Sequence, residues 1–228
     1  MARYVYGLDP ASKSDYFGIV VHQLPEGESK VPKLKALNQL NHTSFDRLYD
    51  YIVNDMFRRY PPYYIVIDYS NERTFSDLLL KVYGKSKVEL VQFTTASKTM
   101  LKEDGLSVIK QGYKFPNPSK ISDPTAGRYV MELVQQLKQE QIVVTKTGKT
   151  SFDHPAGKHN DLAIAWELSV HGCLKFTMRG NRNVGMVYSR KYDAYDEGNY
   201  RFGIPASDIP NRTITLGSAV YYPGQKSD

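Results

Sequence analysis

Cysteine is almost missing from this sequence. Cys173 stands alone among 228 residues, which excludes a disulfide framework and any zinc site built on several thiolates. Long apolar runs are missing too. No stretch approaches the roughly 20 apolar residues of a membrane-spanning helix, and the opening MARYVYGLDP lacks the apolar centre of a secretory signal. Internal repeats and low-complexity tracts are likewise absent. The expectation is a soluble, cytoplasmic protein that contacts no membrane. A chain of 228 residues can bury one sizeable α/β core without help from a second domain. Its 30 Lys and Arg exceed its 24 Asp and Glu, for a formal charge of +6 and a pI near 9.1. Such a surface attracts polyanions from a distance.

What is present is an alternation of strand and helix patterns. RYVYGLD (3–9), YFGIVVHQL (16–24) and KVPKLKALNQL (30–40) are rich in aromatic and β-branched residues and are joined by short turns, as in an antiparallel meander. A helix follows over 43–60, with Leu48, Ile52 and Met56 at helical spacing, Ser44 as cap and Pro61-Pro62 as stop. Then come a strand over 63–68, a helix over 72–84 closed by Gly84, and a strand over 88–93, an order that predicts parallel strands with helical crossovers. Residues 94–121 read as a Lys-rich loop. A helix over 121–141 starts after Asp123-Pro124, a hairpin over 142–154 turns at Thr147-Gly148, and a final helix over 159–172 ends at Gly172. The division is thus a domain over 1–172 and an irregular Tyr-, Gly- and Arg-rich arm over 173–228, with short strands such as 213–222.

Three acids occupy special places in this order. Asp9 ends the first strand, Asp68 ends the fourth, and Asp161 opens the last helix in GKHNDLAIA. At a helix start an Asp can be a plain cap that complements the helix dipole. If strands one and four are neighbours, however, Asp9 and Asp68 share one crevice at the carboxyl edge of the sheet, and Asp161 can join them. Three converging carboxylates repel one another unless a divalent cation neutralises them, and an all-oxygen set suits Mg²⁺ or Mn²⁺. Two such ions about 3.5–4 Å apart are the arrangement used to hydrolyse phosphodiesters.

The segments GLDPASKSDYFGIVV, YIVIDYSNERTFSDLL and HPAGKHNDLAIAWELS resemble the three acidic motifs of the nuclease domain of viral terminase large subunits. That family has a ribonuclease H-like fold, three antiparallel strands followed by parallel strands with flanking helices. The resemblance covers about residues 3–172. It implies Asp9, Asp68 and Asp161 as metal-holding catalytic residues and a two-metal Mg²⁺ or Mn²⁺ site. It also implies endonuclease activity on double-stranded viral DNA during genome packaging, the small terminase subunit and the portal as partners, and the cytoplasm of the infected host as location. One position departs from the family's usual H-D-D-L-x-x-A: Asn160 replaces the first Asp, so a role that needs that charge is open. The family's packaging ATPase is not matched, so the chain corresponds to an excised domain or a stand-alone relative. A junction resolvase of the same fold and a catalytically inactive nucleic-acid-binding domain are the alternative readings.

Other candidates have two readings each. Lys158 and His159 can orient water or screen the scissile phosphate, or form a solvated helix start. Asp153 and His154 can be reserve contacts or loop polarity, and Asp15 reads as a turn residue. His22, His42 and His171 have no partner in sequence and read as structural or surface residues. Lys98 and Lys102 in the Lys-rich segment, with Lys146 and Lys149 on the hairpin, are the proposed backbone contacts to DNA, against a default of solvated charge. Gly148-Lys149-Thr150 imitates an ATP-binding loop, but position 143 is Val where that loop needs Gly, and the segment reads as a hairpin. No ATP site is expected.

Overall fold

Alternation with small residues on one face and large apolar ones on the other makes β1 (Tyr4–Asp9) and β2 (Tyr16–Gln23) central strands, buried on both sides from Val5 to Asp9 and from Phe17 to His22. The computed structural model describes residues 2–10, 16–27, 29–41, 44–70, 73–144, 150–153, 159–177 and 214–215. β3 (Lys33–Asn41) completes the antiparallel meander, while β4 (Pro62–Asp68) runs parallel to β1 and β5 (Val88–Val91) parallel to β4. The sheet order is β3-β2-β1-β4-β5.

The helix expected over 43–60 is one helical run with a wider middle: α1 (Phe45–Tyr49), a π-helical stretch (Asp50–Met56) and α2 (Phe57–Arg59). Together with α3 (Thr74–Tyr83), closed by Gly84 at φ 76°, it covers one face of the sheet. There Tyr6, Leu8, Ile19, Ile65 and Ile67 pack against Ile52, Met56, Phe57, Phe75 and Leu79.

The reading of 94–121 as loop is corrected by α4 (Thr95–Lys110). Thr94 and Ser97 form a reciprocal capping box at its start, yet its buried positions include Thr99, Lys102, Asp104 and Gly105, so no apolar period marks the helix in sequence. Gly105 is small because a Cβ there would lie 2.7 Å from the Trp166 ring. α5 (Pro124–Gln139) begins as expected, with the Asp123 side chain accepting from the Thr125 amide and Pro at the first helical position.

α6 (Asp161–Thr177) crosses the second face of the sheet and is itself covered by α4 and α5, which is why nearly all of it is buried. It does not stop at Gly172. A Cβ on that residue would lie 2.6 Å from Val5 Cγ1 and 2.8 Å from Val66 Cγ2, so Gly172 serves close packing in mid-helix. A small second sheet joins β6 (Gln141–Val144) to β7 (Thr150–Asp153), antiparallel with Val144 opposite Thr150, and adds β8 (Ile214–Thr215) beside β6. Thr150 therefore opens a strand, not the helix that an ATP-binding loop requires. No helix among the described residues is long and apolar enough to cross a membrane.

Candidate functional site

Parallel pairing brings the ends of β1 and β4 together. Leu8 lies opposite Ile67, so Asp9 and Asp68 are the next residue on each strand. Side chains alternate along a strand, and Gly7 and Val66, two residues before these acids, both face α6. Asp9 and Asp68 therefore belong to the α6 side of the sheet. The helix runs antiparallel to β1: Gly172 packs on Val5, while Ala165 and Ser169 pack on Gly7. Its first residue rests on Gly18, where a Cβ would be 2.3 Å from the Asp161 carbonyl oxygen, and Gly18 is the cross-strand partner of Asp9. Asp161 thus arrives at the edge that holds Asp9 and Asp68. All three are buried, at 8%, 2% and 5% exposure for Asp9, Asp68 and Asp161.

Local hydrogen bonds orient two of these acids. Asp68 Oδ1 accepts from the Ser70 amide at 2.9 Å and the Ser70 hydroxyl at 2.6 Å. Ser70 Oγ in turn accepts from the Phe93 amide at 2.7 Å, tying the end of β4 to the second residue after β5. Asp161 Oδ2 accepts from Gln39 Nε2 at 3.3 Å. The Ala163 amide, in the first turn of α6, donates to Gln136 Oε1 at 3.0 Å. Burial holds the Asp68 carboxyl above the usual carboxylate range, against the opposing pull of the Ser70 bonds, the Tyr69 amide and the Lys98 charge.

His159 stands beside Asp161, with Nδ1 3.9 Å from Oδ2, and its half-exposed ring meets Tyr16 edge-on at 4.9 Å. Asn160 contributes its backbone, accepting from the Ile164 amide at 2.9 Å. Lys98 stands near Phe93, 5.8 Å from its ring centre, and its charge reaches Asp68. Lys102 is not a surface phosphate contact: it is 8% exposed and bonded to Glu140 and, at 2.6 Å, to Glu167. Its ammonium is already matched inside the protein. Asp15, His42, Lys146, Lys149, His154 and Lys158 lie outside the described residues, as does the side chain of Asp153.

His22 and His171 are both buried and bonded, the former between Ser169 Oγ at 2.7 Å and Tyr113 Oη at 2.6 Å, the latter to Asp104 Oδ2 at 2.7 Å. Sequence reasoning missed Gln39, Ser70 and Gln136. Ser70 could have been found, since a Ser two residues after a strand-end Asp commonly closes a local turn. Nothing in KALNQLN marks Gln39.

Among the described residues, no group of three or more His, Cys, Asp and Glu side chains is gathered closely enough to hold a metal ion. The backbone brings the three acids to one edge without drawing their carboxylates into a ligand cluster. The donor chemistry, oxygen throughout and largely withdrawn from water, fits a hard divalent cation.

The mixed sheet, with a last helix carrying an acid to the carboxyl edge, defines a ribonuclease H-like fold. Within that class the likeness is to large terminase nuclease domains. The magnesium-bound large terminase nuclease of thermophilic phage G20c is 17% identical at a TM-score of 0.56, over 75% of this chain and 81% of that one. Its cobalt-bound form is 16% identical at a TM-score of 0.55 over the same shares. The large terminase nuclease domain of Thermus phage P74-26 is 17% identical at a TM-score of 0.54, over 74% of this chain and 78% of that one. At these identities the likeness is one of fold. No family model and no curated protein matches the sequence.

Proposed function

We propose that this chain is a metal-dependent DNA endonuclease, the nuclease part of a viral genome-packaging terminase. The observation that carries the reading is the meeting of Asp9, Asp68 and Asp161 at one sheet edge beneath the first turn of α6. In it, Asp9, Asp68 and Asp161 hold Mg²⁺ or Mn²⁺. Bound in pairs, such ions supply an activated water and neutralise the charge on the leaving oxygen.

The chain's own residues do the rest. Burial makes the isolated charge on Asp68 costly, which favours uptake of a cation there. Ser70 and the start of α6 fix where two of the acids stand. His159, beside Asp161, and Lys158, one residue before it, orient water or screen the scissile phosphate. Lys98 on α4 and Lys146 and Lys149 on the β6–β7 hairpin contact the backbone of double-stranded DNA. By the same reading the partners are the small terminase subunit and the portal, and the place of action is the host cytoplasm.

Asn160 favours a second reading, a nucleic-acid-binding domain without catalysis, because it removes one carboxylate from the helix start. Plasmid DNA incubated with the protein and Mn²⁺ separates the two. Nicking and cutting that stop in EDTA are expected of the nuclease, whereas mobility shifts without cleavage in either metal would establish the binding-only domain.

A further inference from the structure

Gln39 is out of character with its strand. β3 is the outermost strand of the meander, and its residues are exposed or half-buried except for Gln39, which is 7% exposed. An amide withdrawn from water is unfavourable unless it is bonded. Its Nε2 donates to Asp161 Oδ2, and its backbone carbonyl accepts from Tyr129 Oη at 3.2 Å. Register explains how an outer strand reaches the edge: Gln39 is opposite Gly18, and Gly18 is opposite Asp9. The first residue of α6 lies on that glycine. Asp161 is therefore set down between Gln39 and Asp9.

Ser70 has the same relation to Asp68. It holds Oδ1 through two bonds, and its own hydroxyl oxygen is fixed by the Phe93 amide. Both donors are neutral. A lysine or arginine in either place would orient the carboxylate but would also compete with an incoming cation for its charge. An amide or hydroxyl restricts rotation and leaves the charge in place.

We propose that Gln39, together with Ser70, is a positioning residue of the candidate cation site, setting the rotation of Asp161 and Asp68 before a divalent ion arrives. The inference rests on the metal reading of the three acids. It goes beyond that reading by assigning a function to an outer antiparallel strand that carries none of the acids.

Calorimetric titration of Mn²⁺ into the full chain tests it, alongside melting of the metal-free protein. Gln39→Met keeps the length and removes the donor; Gln39→Asn keeps an amide but withdraws it from Asp161; Ser70→Ala removes the hydroxyl. Each should weaken Mn²⁺ binding roughly 10- to 100-fold, with little change in metal-free melting. Should Gln39→Met fail to fold, Gln39→Asn decides. Lower melting with unchanged Mn²⁺ affinity would make Gln39 a packing residue and overturn the inference. Asp161→Asn separates the two levels. Mn²⁺ binding lost in Asp161→Asn but unchanged in both Gln39 variants overturns the positioning role alone. A wild-type chain that takes up no Mn²⁺, or takes it up equally after Asp161→Asn, overturns the metal reading and the inference with it.

Discussion

α6 carries one acid at its first residue, Asp161, and another, Glu167, midway along its buried length, and the protein treats them differently. In its later turns Glu167 is bonded to the Lys102 ammonium, and His171 stands between Asp104 and Glu89, which Lys175 also bonds. At its first turn Asp161 accepts from an amide, and nearby Asp68 accepts from a serine. A cation beside a carboxylate settles its charge; a neutral donor settles only its direction. The interior acids are thus matched by buried partners, while at the carboxyl edge Asp161 and Asp68 are oriented by neutral donors, with His159 and the Lys98 charge close by.

The largest effect should come from breaking the edge. Asp9→Ala, Asp68→Ala and Asp161→Ala should each lower plasmid cleavage by orders of magnitude, while metal-free melting holds or rises as carboxylate repulsion is relieved. If Asp161 were only a cap, Asp161→Asn would leave cleavage almost intact, because Asn caps nearly as well.

Breaking the interior should do the reverse. Lys102→Ala leaves Glu140 and Glu167 buried without their ammonium and should destabilise the fold by about 3–5 kcal/mol, as measured by urea denaturation. Lys102→Met combined with Glu140→Gln and Glu167→Gln should be far milder, since no lone charge remains buried.

The histidine cluster sharpens the contrast through pH. Burial alone would lower the His171 imidazole, but its bonds to Asp104 and Glu89 outweigh burial and raise it above its ordinary 6.5. A raised histidine contributes stability that is complete below 6.5 and is lost as pH rises through its folded value. Burial would likewise raise Glu89, yet His171 and Lys175 push it down from 4.5 to about 2, so its contribution is present above 4.5 and fades as pH falls towards 2. His171→Gln should therefore cost more stability near pH 6 than near pH 9, read from urea midpoints. An equal cost at both would mean that the imidazole only fills space.

The smallest effect belongs to the basic surface. Removing the charge of Lys98, Lys146 or Lys149 should weaken DNA binding alike on unrelated sequences, flattening the log–log salt dependence by roughly one unit per lost phosphate contact. A sequence-selective loss would show base reading instead.

Much of the fold was legible because its signals are local. Strand alternation, the Pro61-Pro62 stop, the Asp123-Pro124 start and the antiparallel pairing of β6 with β7 each rest on signals within a few residues of themselves. α4 was not legible, because it buries Lys102 and Asp104 against partners on other elements and makes room for Trp166 with Gly105. Its polar face reads as solvated until those partners are in place.

The same division runs through the candidate site. The sequence by itself determined that Asp9 and Asp68 end strands and that Asp161 opens a helix, since turn chemistry and periodicity are properties of short segments. Only the tertiary structure decided that Lys102 is spent on Glu140 and Glu167 and that Gln39 reaches Asp161 from 122 residues away. A side chain's charge is written in its own residue, but whether that charge is neutralised, oriented or left available depends on packing between segments that the chain order keeps apart.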